Sequence, residues 1–451
     1  MPFPKLSSLK NKHILALIGN IVIAGFGILT IALLARVMSK DDMGVYFFFF
    51  IVYNLADAIR NGLLTTATIK FYAGAAPERA QAVLGSVWYL ALGLTVAMLL
   101  INLGAVPFMH TIDNDEVVIV IQWFGLTVLS SLPFNITFWI MVADEDYVSI
   151  LWLRLVNSGS TITCFAVLAL LHKASLFNVL FANFATNCVT SIICMVMGYS
   201  KVNLLFKRTK EVVAELFAFG KFSLSSTVSS YFLGAANGFI VNGMLGAAAL
   251  AVFSIPNRLM EIVEIPLRSF TGTGMSAMAT AYNNNNMYHL TFVSKKYSGM
   301  LTLVFIPVAI ITFFCADLGI WILGGKQYLG TAAPNILRLM MFVAILYPID
   351  RFNGITLDII NQPKINVYKV IIMGAVNIVV ALVAISLLKN VYGVVIATFS
   401  TTIAGLLFGY HHLRKHLKYT IKDILGLGYV ELRNFFNERI LKKPPVNPPV
   451  Q

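Results

Sequence analysis

The chain has 451 residues, of which 58% are hydrophobic and only 12% are charged, and its mean hydropathy is +0.80. A soluble domain usually contains about 45–50% apolar and about 25% charged residues, so this composition excludes a soluble globular protein. The formal net charge is +13. Most basic residues nevertheless fall in alternate loops between apolar runs, which indicates a polytopic membrane protein and argues against a nucleic-acid partner.

Apolar segments of about 20 residues, the length that crosses a bilayer as a helix, recur along the whole chain. The first follows a basic N-terminus with Lys5, Lys10 and Lys12. It is too long for a signal peptide and no cleavage site follows it, so we expect a retained span. Twelve spans are predicted at residues 14–35, 45–67, 83–106, 117–142, 149–171, 175–198, 222–243, 248–279, 298–318, 334–358, 366–388 and 391–410. The fold class predicted is therefore all-α integral membrane.

An even number of spans puts both ends of the chain on one side of the membrane. The 33 lysines and arginines are concentrated in one set of loops and in the two tails. Cytoplasmic loops carry this excess, so both termini are predicted to be cytoplasmic.

The two halves of the sequence show a weak internal repeat. KHILALIGNIVIAGFG near Lys12 aligns with KFSLSSTVSSYFLGAA near Lys221. The alignment places three pairs of polar residues opposite each other: Asp57 with Glu264, Asn61 with Arg268, and Arg154 with Lys369. Six spans in each half indicate a parallel repeat, in which two six-helix bundles are related by a pseudo-two-fold axis along the membrane normal. We predict an N-terminal bundle at 1–198, a cytoplasmic connection at 199–221, a C-terminal bundle at 222–412, and an amphipathic and disordered cytoplasmic tail at 413–451.

Several ionisable residues lie within the predicted spans, where each exposed charge costs about 2.5–3.5 kcal/mol. The basic residues at this depth are Arg60, Arg154, Arg258, Arg268, Arg338, Arg351 and Lys369, and the acidic residues are Asp57, Glu261, Glu264 and Asp350. In span eight, four of these charges share one helix face, which must therefore point into protein or into a wet cavity. The excess of cations predicts an anionic ligand, and the two-pronged guanidinium of arginine suits phosphate.

Ion pairing within a helix is the alternative explanation of these charges. Asp57 with Arg60 and Glu264 with Arg268 have the i,i+3 and i,i+4 spacing of such pairs. Pro256, in the same span eight, removes a backbone hydrogen bond, and a bent or broken helix is tolerated where it lines a cavity. The sequence leaves open whether Glu261 and Glu264 couple an ion or only neutralise their neighbours.

Enzymatic motifs are not recognisable. The sequence contains no phosphate-binding glycine loop, no zinc-type histidine pair at helical spacing and no nucleophile elbow. The four cysteines lie within apolar runs without metal or disulfide spacing. We therefore predict a protein that is not an enzyme and has no catalytic residues, cofactor or metal site. The expected energy source is an ion or substrate gradient.

The twelve-span pattern, the second span GVYFFFFIVYNLADAIRNGLL and the turn NQPK at 361–364 resemble the bacterial oligosaccharide-lipid and polysaccharide flippases. That superfamily also includes multidrug-and-toxin exporters and lipid II flippases. Arg60 and Arg154 fall where such proteins often carry a base. The resemblance implies a V-shaped pair of bundles in the bacterial inner membrane. An undecaprenyl-pyrophosphate-linked glycan would move to the outer leaflet by alternating access, with H⁺ or Na⁺ as counter-ion. Membrane lipids and glycan-assembly proteins such as a polymerase are the implied partners.

These considerations predict the residues of the transport site. The expected ligands of the pyrophosphate and glycan are Arg60, Arg154, Arg258, Arg268, Arg351 and Lys369, with Arg154 and Lys369 at the cytoplasmic entrance. The expected ion-coupling residues are Asp57, Glu261 and Glu264. Two other functions are weighed. A multidrug exporter of cations calls for a net acidic cavity, whereas these charges are net basic. A glycan polymerase or glycosyltransferase needs a large outer loop, and the longest one predicted is residues 107–116.

Overall fold

The computed structural model describes residues 12–417 and 420–439, and this part of the chain is helical without strands. The all-α prediction is confirmed. In chain order, the helices are α1 (Lys12–Val37), α2 (Lys40–Tyr72), α3 (Pro77–Ala105), α4 (Asp115–Ser130), α5 (Leu132–Ala143), α6 (Tyr147–Leu170), α7 (Leu176–Val196), α8 (Lys210–Leu245), α9 (Ala247–Asn283), α10 (Met287–Gly324), α11 (Ala333–Ala344), α12 (Tyr347–Ile359), α13 (Pro363–Leu388), α14 (Tyr392–Leu413) and α15 (Ile421–Arg439). Short 3₁₀ helices connect some of them.

The helices follow the predicted spans. Within the described residues, seven helices are long and apolar enough to cross a membrane, and two bent pairs, α4 with α5 and α11 with α12, raise this number to nine. The three other predicted spans correspond to α1, α8 and α9. Of these, α1 has a shorter apolar stretch at Val22–Val37, and α9 carries the charged residues found in the sequence. The chain is a multi-pass membrane protein.

Two spans are broken near their middle, which the sequence analysis did not predict. The bend between α4 and α5 is 44°, and that between α11 and α12 is also 44°. Pro133 and Pro348 lie at the start of the second helix of each pair. Because proline has no amide hydrogen, it cannot bond to the carbonyl one turn earlier, and the helix bends there. The two prolines are about 215 positions apart, as the internal repeat predicts.

Helix α9 shows the opposite outcome. The sequence suggested a bend or break at its prolines, but α9 is one helix of 37 residues with Pro256 and Pro266 inside it. Each proline removes a single backbone bond, and the remaining bonds keep the helix continuous across both positions.

Contacts divide the chain into two compact units. Unit 1 comprises residues 1–242 and 246–251, and unit 2 comprises residues 243–245 and 252–451. By this criterion α8 belongs to unit 1, although it was predicted to open the second bundle. Its residues Val212 and Leu216 lie in a buried cluster with Trp88 of α3 and Trp139 of α5. The close approach of α2 to α8 requires Gly62, since a β-carbon there would lie 3.0 Å from the Leu224 α-carbon.

In unit 2, α15 packs against α10. The crossing point has glycine on both helices, Gly299 and Gly428, and a β-carbon on either one would overlap the other backbone. Lys295 Nζ lies 3.2 Å from a carboxylate oxygen of Asp423, and Lys296 pairs with Glu431. The predicted amphipathic tail segment is thus a helix held by apolar and ionic contacts. The N-terminal lysines at positions 5 and 10 and the segment predicted to be disordered, PPVNPPVQ at 444–451, lie outside the described residues.

Candidate transport site

The centre of unit 1 is a polar network around Asp57 of α2. Its carboxylate accepts hydrogen bonds from Arg60 Nη2 (2.8 Å), Asn61 Nδ2 (2.7 Å) and Asn135 Nδ2 (2.7 Å). Trp139 of α5 donates through Nε1 to Asn61 Oδ1 at 2.6 Å. The network therefore connects α2 with α5 at the depth where the bent span is interrupted.

Arg60 stabilises the break between α4 and α5. Its side chain is 0% exposed, and it donates to the carbonyl of Val128 (2.8 Å) and to the Ser131 hydroxyl (2.9 Å) as well as to Asp57. A helix break frees backbone carbonyls, which are costly to leave unpaired inside a membrane. Arg60 was predicted to bind the pyrophosphate. In this conformation it binds protein groups instead.

The centre of unit 2 is an open cavity. It has a volume of about 350 Å³ and is lined by Glu264, Leu267, Arg268, Tyr347, Asp350 and Arg351. Arg268 Nη2 lies 2.6 Å from Glu264 Oε2, yet 72% of the Arg268 side chain is exposed. Arg351 is also exposed. Two guanidinium groups therefore border one cavity, and both can reach a ligand.

Asp350 joins this cavity to a buried cation. Lys369 Nζ of α13 lies 2.6 Å from Asp350 Oδ1 and donates to the Asp350 backbone carbonyl at 2.8 Å. Glycines make room for the pair: a β-carbon on Gly405 of α14 would lie 2.7 Å from Asp350 Oδ1, and one on Gly354 would lie 3.6 Å from Lys369 Nζ. Lys369, predicted at a cytoplasmic entrance, is instead buried in this pair.

The two polar centres occupy equivalent positions in the repeat. The sequence alignment pairs Asp57 with Glu264 and Asn61 with Arg268, and the two helix breaks bring Asn135 opposite Asp350 in the same register. In unit 1 all three positions are hydrogen-bonded together, whereas in unit 2 Arg268 bonds to Glu264 while these two residues and Asp350 line a cavity. Asn135 and Tyr347 were not predicted as site residues, because only the folded break brings them to α2 and α9.

The remaining predicted residues lie apart from these contacts. Arg258 pairs with Glu261 at 2.8 Å along α9, and both side chains are about half exposed. Arg154 of α6 stacks on the Phe138 ring, with 4.9 Å between the guanidinium carbon and the ring centroid. The spacing that favoured intrahelical ion pairs is thus realised for Asp57 with Arg60, Glu264 with Arg268 and Arg258 with Glu261.

The surplus of positive charge is smaller than the sequence predicted. Arg338 of α11 pairs with Asp317 of α10, an acid that was not counted at membrane depth. Within the described residues, at least five of the seven intramembrane cations have a carboxylate partner. An anionic ligand would therefore depend on particular exposed guanidinium groups, above all those of Arg268 and Arg351, more than on bulk charge.

Sequence comparison gives the family. The model of the polysaccharide biosynthesis protein family matches residues 33–333, which is more than half of the chain. The chain belongs to this family. The resemblance to polysaccharide flippases found in the sequence is confirmed at the level of this family. No curated protein matches the chain significantly.

Solved structures show the same fold at low sequence identity. An inward-facing multidrug resistance MATE family transporter of the MOP superfamily is similar with a TM-score of 0.71 and 17% identity over 87% of this chain and 95% of that one. The lipid II flippase MurJ, in an inward closed conformation, has a TM-score of 0.71 and 14% identity over 94% of this chain and 92% of that one. A MOP superfamily transporter from Pyrococcus furiosus has a TM-score of 0.57 and 17% identity over 90% of this chain and 95% of that one. This MATE-like fold agrees with the predicted fold class.

Proposed function

We propose that the protein is a flippase that moves an undecaprenyl-pyrophosphate-linked oligosaccharide from the inner to the outer leaflet. Membership of the polysaccharide biosynthesis family supports a glycan-related cargo, and the multi-pass fold supports membrane transport. The observation that carries the proposal is the unit 2 cavity with two exposed guanidinium groups. Arginine can bind two phosphate oxygens at once, so Arg268 and Arg351 would hold the pyrophosphate.

The acidic residues would control when the arginines are available. Glu264 accepts a hydrogen bond from Nη2 of Arg268 in this conformation. Protonation of Glu264, or binding of Na⁺ to it, would remove the pairing charge and free Arg268 for the phosphate. Asp57 and Glu261 are placed to act on Arg60 and Arg258 in the same way. This alternation would couple cargo binding to an ion gradient by changing the population of two states.

The other predicted ligands would act outside the cavity or in another conformation. Arg258 and Arg154 are partly exposed and could contact the glycan or guide the cargo, whereas Arg60 and Lys369 would need to leave their protein partners first. The proposed location is the bacterial inner membrane with cytoplasmic termini, and a glycan polymerase is the proposed consumer of the product.

Export of the glycan in cells tests the cargo. A strain that lacks this protein should accumulate the lipid-linked oligosaccharide on its cytoplasmic face, and the wild-type protein should remove that accumulation. Arg351→Gln should fail to complement although it is present in the membrane at the wild-type level. The matched control is Arg79→Gln on α3, which breaks an ion pair with Glu215 away from the cavity. Full glycan export by the Arg351 variant would exclude this cavity as the phosphate site.

The ion-coupling role needs a separate measurement. Glu264→Gln keeps the shape of the side chain but cannot change its charge. We expect transport by this variant to lose its dependence on pH or on sodium while some transport remains. An unchanged pH and sodium dependence would show that Glu264 only neutralises Arg268.

A further inference from the structure

A second cavity in unit 2 contains an ion pair beside exposed aromatic rings. Its volume is about 520 Å³, and it is lined by Phe313, Phe314, Asn335, Arg338, Leu339 and Tyr392. Arg338 pairs with Asp317, which lies on α10 close to this lining. The transport proposal above uses none of these residues.

The pair lies toward the ends of the two helices that carry it. Arg338 lies about 8 Å along α11 from its first residue, and Asp317 about 10 Å from the last residue of α10, at a rise of 1.5 Å per residue. Phe313 and Phe314 precede Asp317 by about one turn of α10 and so lie further from that helix end, and 77% of Phe314 is exposed. Polar groups toward a helix end, next to exposed rings further along the same helix, are the arrangement that a bound phospholipid needs.

The hydrogen bonds of Arg338 leave room for a ligand. Nε donates to the Phe313 carbonyl at 3.0 Å, and Nη1 donates to Asn335 Oδ1 at 2.7 Å. A guanidinium has five N–H groups, so with the bond to Asp317 three are used and two remain. The Asp317 carboxylate is 56% exposed and can accept further hydrogen bonds.

We propose that this cavity binds a zwitterionic phospholipid with a primary ammonium, such as phosphatidylethanolamine. Arg338 would bind the phosphate, Asp317 would accept hydrogen bonds from the ammonium, and the acyl chains would pack against Phe313, Phe314 and Leu339. Charge complementarity selects this headgroup. An anionic lipid such as phosphatidylglycerol would place its phosphate near Asp317 without a headgroup cation to pair with that carboxylate. The quaternary ammonium of phosphatidylcholine could not donate a hydrogen bond to it.

Native mass spectrometry of the purified full-length protein tests the proposal. The protein is titrated with phosphatidylethanolamine, phosphatidylcholine and phosphatidylglycerol that carry the same acyl chains. The wild type should retain phosphatidylethanolamine best. Arg338→Gln should weaken its retention about tenfold, as expected for the loss of one charge-assisted hydrogen bond. Asp317→Asn should bring retention of phosphatidylethanolamine down to that of phosphatidylglycerol, because it removes the negative charge that pairs with the ammonium.

Arg79→Gln, which breaks an exposed ion pair in unit 1, is the matched control and should leave all three retentions unchanged. Equal retention of phosphatidylglycerol and phosphatidylethanolamine by the wild type would overturn the proposal, and this arm needs no variant to fold. An unchanged headgroup preference in Asp317→Asn would equally overturn it and would leave the ion pair as a brace between α10 and α11.

Discussion

Removing Lys369 should destabilise unit 2 strongly, because its partner Asp350 would remain without a counter-charge. The Lys369 side chain is 4% exposed, and it holds both the carboxylate and the backbone carbonyl of Asp350. Loss of one partner of a buried ion pair costs about 3–5 kcal/mol. With about 2–4 °C per kcal/mol for a unit of roughly 200 residues, Lys369→Met should lower the unfolding temperature by about 6–20 °C. Asp350 lies at the edge of a cavity, where water can partly solvate its carboxylate, so the lower part of this range is expected.

The measurement is thermal unfolding of the purified protein in detergent, followed by tryptophan fluorescence. Lys364→Met, an exposed lysine on the same helix, is the matched control and should shift the transition by less than 2 °C, the scale of a surface substitution. The double variant Lys369→Met with Asp350→Leu should recover at least half of the loss, because it leaves no unpaired charge. If the unfolding temperature of the double variant falls by the sum of the decreases in the two single variants, the ion pair is not the source of the stability.

Three further substitutions test other parts of the structure. Gly405→Ala should destabilise the protein by about 1–3 kcal/mol because the new methyl group meets Asp350. Gly93→Ala is the control: a β-carbon there has no neighbouring atom within 4 Å, so this variant should be neutral or stabilising in the same unfolding assay. Arg60→Met should lower the unfolding temperature by at least as much as Lys369→Met, since it removes one hydrogen-bond donor from a carbonyl, from a hydroxyl and from a carboxylate at once; a wild-type transition would contradict its structural role. The Thr420 hydroxyl, and after it the Lys295 ammonium, lower the pKa of Asp423. The ionised carboxylate therefore stabilises the docked α15 at every pH above about 3.9, the ordinary pKa of an aspartate. This contribution is lost only as the pH falls below about 3.9. The difference in unfolding temperature between wild type and Asp423→Asn should therefore be constant from about pH 5 to 8, and its disappearance near pH 6 would contradict this assignment.

Hydropathy alone located the nine spans that are long and apolar enough to cross a membrane within the described residues, because a bilayer demands long apolar helices and few other sequences satisfy that demand. The three other predicted spans also correspond to helices. The internal breaks were not predicted, since the overall hydropathy of residues 117–142 and of residues 334–358 indicated one span in each case. Pro133 and Pro348 gave the only local signal. Prolines also occur in α9, where they produce no break, so proline by itself does not decide the outcome.

The polar centres were predictable in part. The i,i+3 and i,i+4 spacings predicted the pairs within α2 and α9, because such pairs depend only on local helical geometry. Asn135 and Lys369 reach Asp57 and Asp350 from other helices, and only the tertiary fold brings them together. Asp317 was overlooked because it lies at the very end of a predicted span, so the positive surplus was overestimated.

Translocation by the purified protein in liposomes tests the central claim most directly. A fluorescent short-chain pyrophosphate-linked glycolipid is placed in both leaflets, and a membrane-impermeant quencher reports how fast the inner pool becomes accessible. We expect the wild-type protein to accelerate this exchange, Arg351→Gln to abolish the acceleration, and Arg79→Gln to behave as wild type. Equal rates for wild type and Arg351→Gln would contradict the assignment of the unit 2 cavity as the site that carries the pyrophosphate.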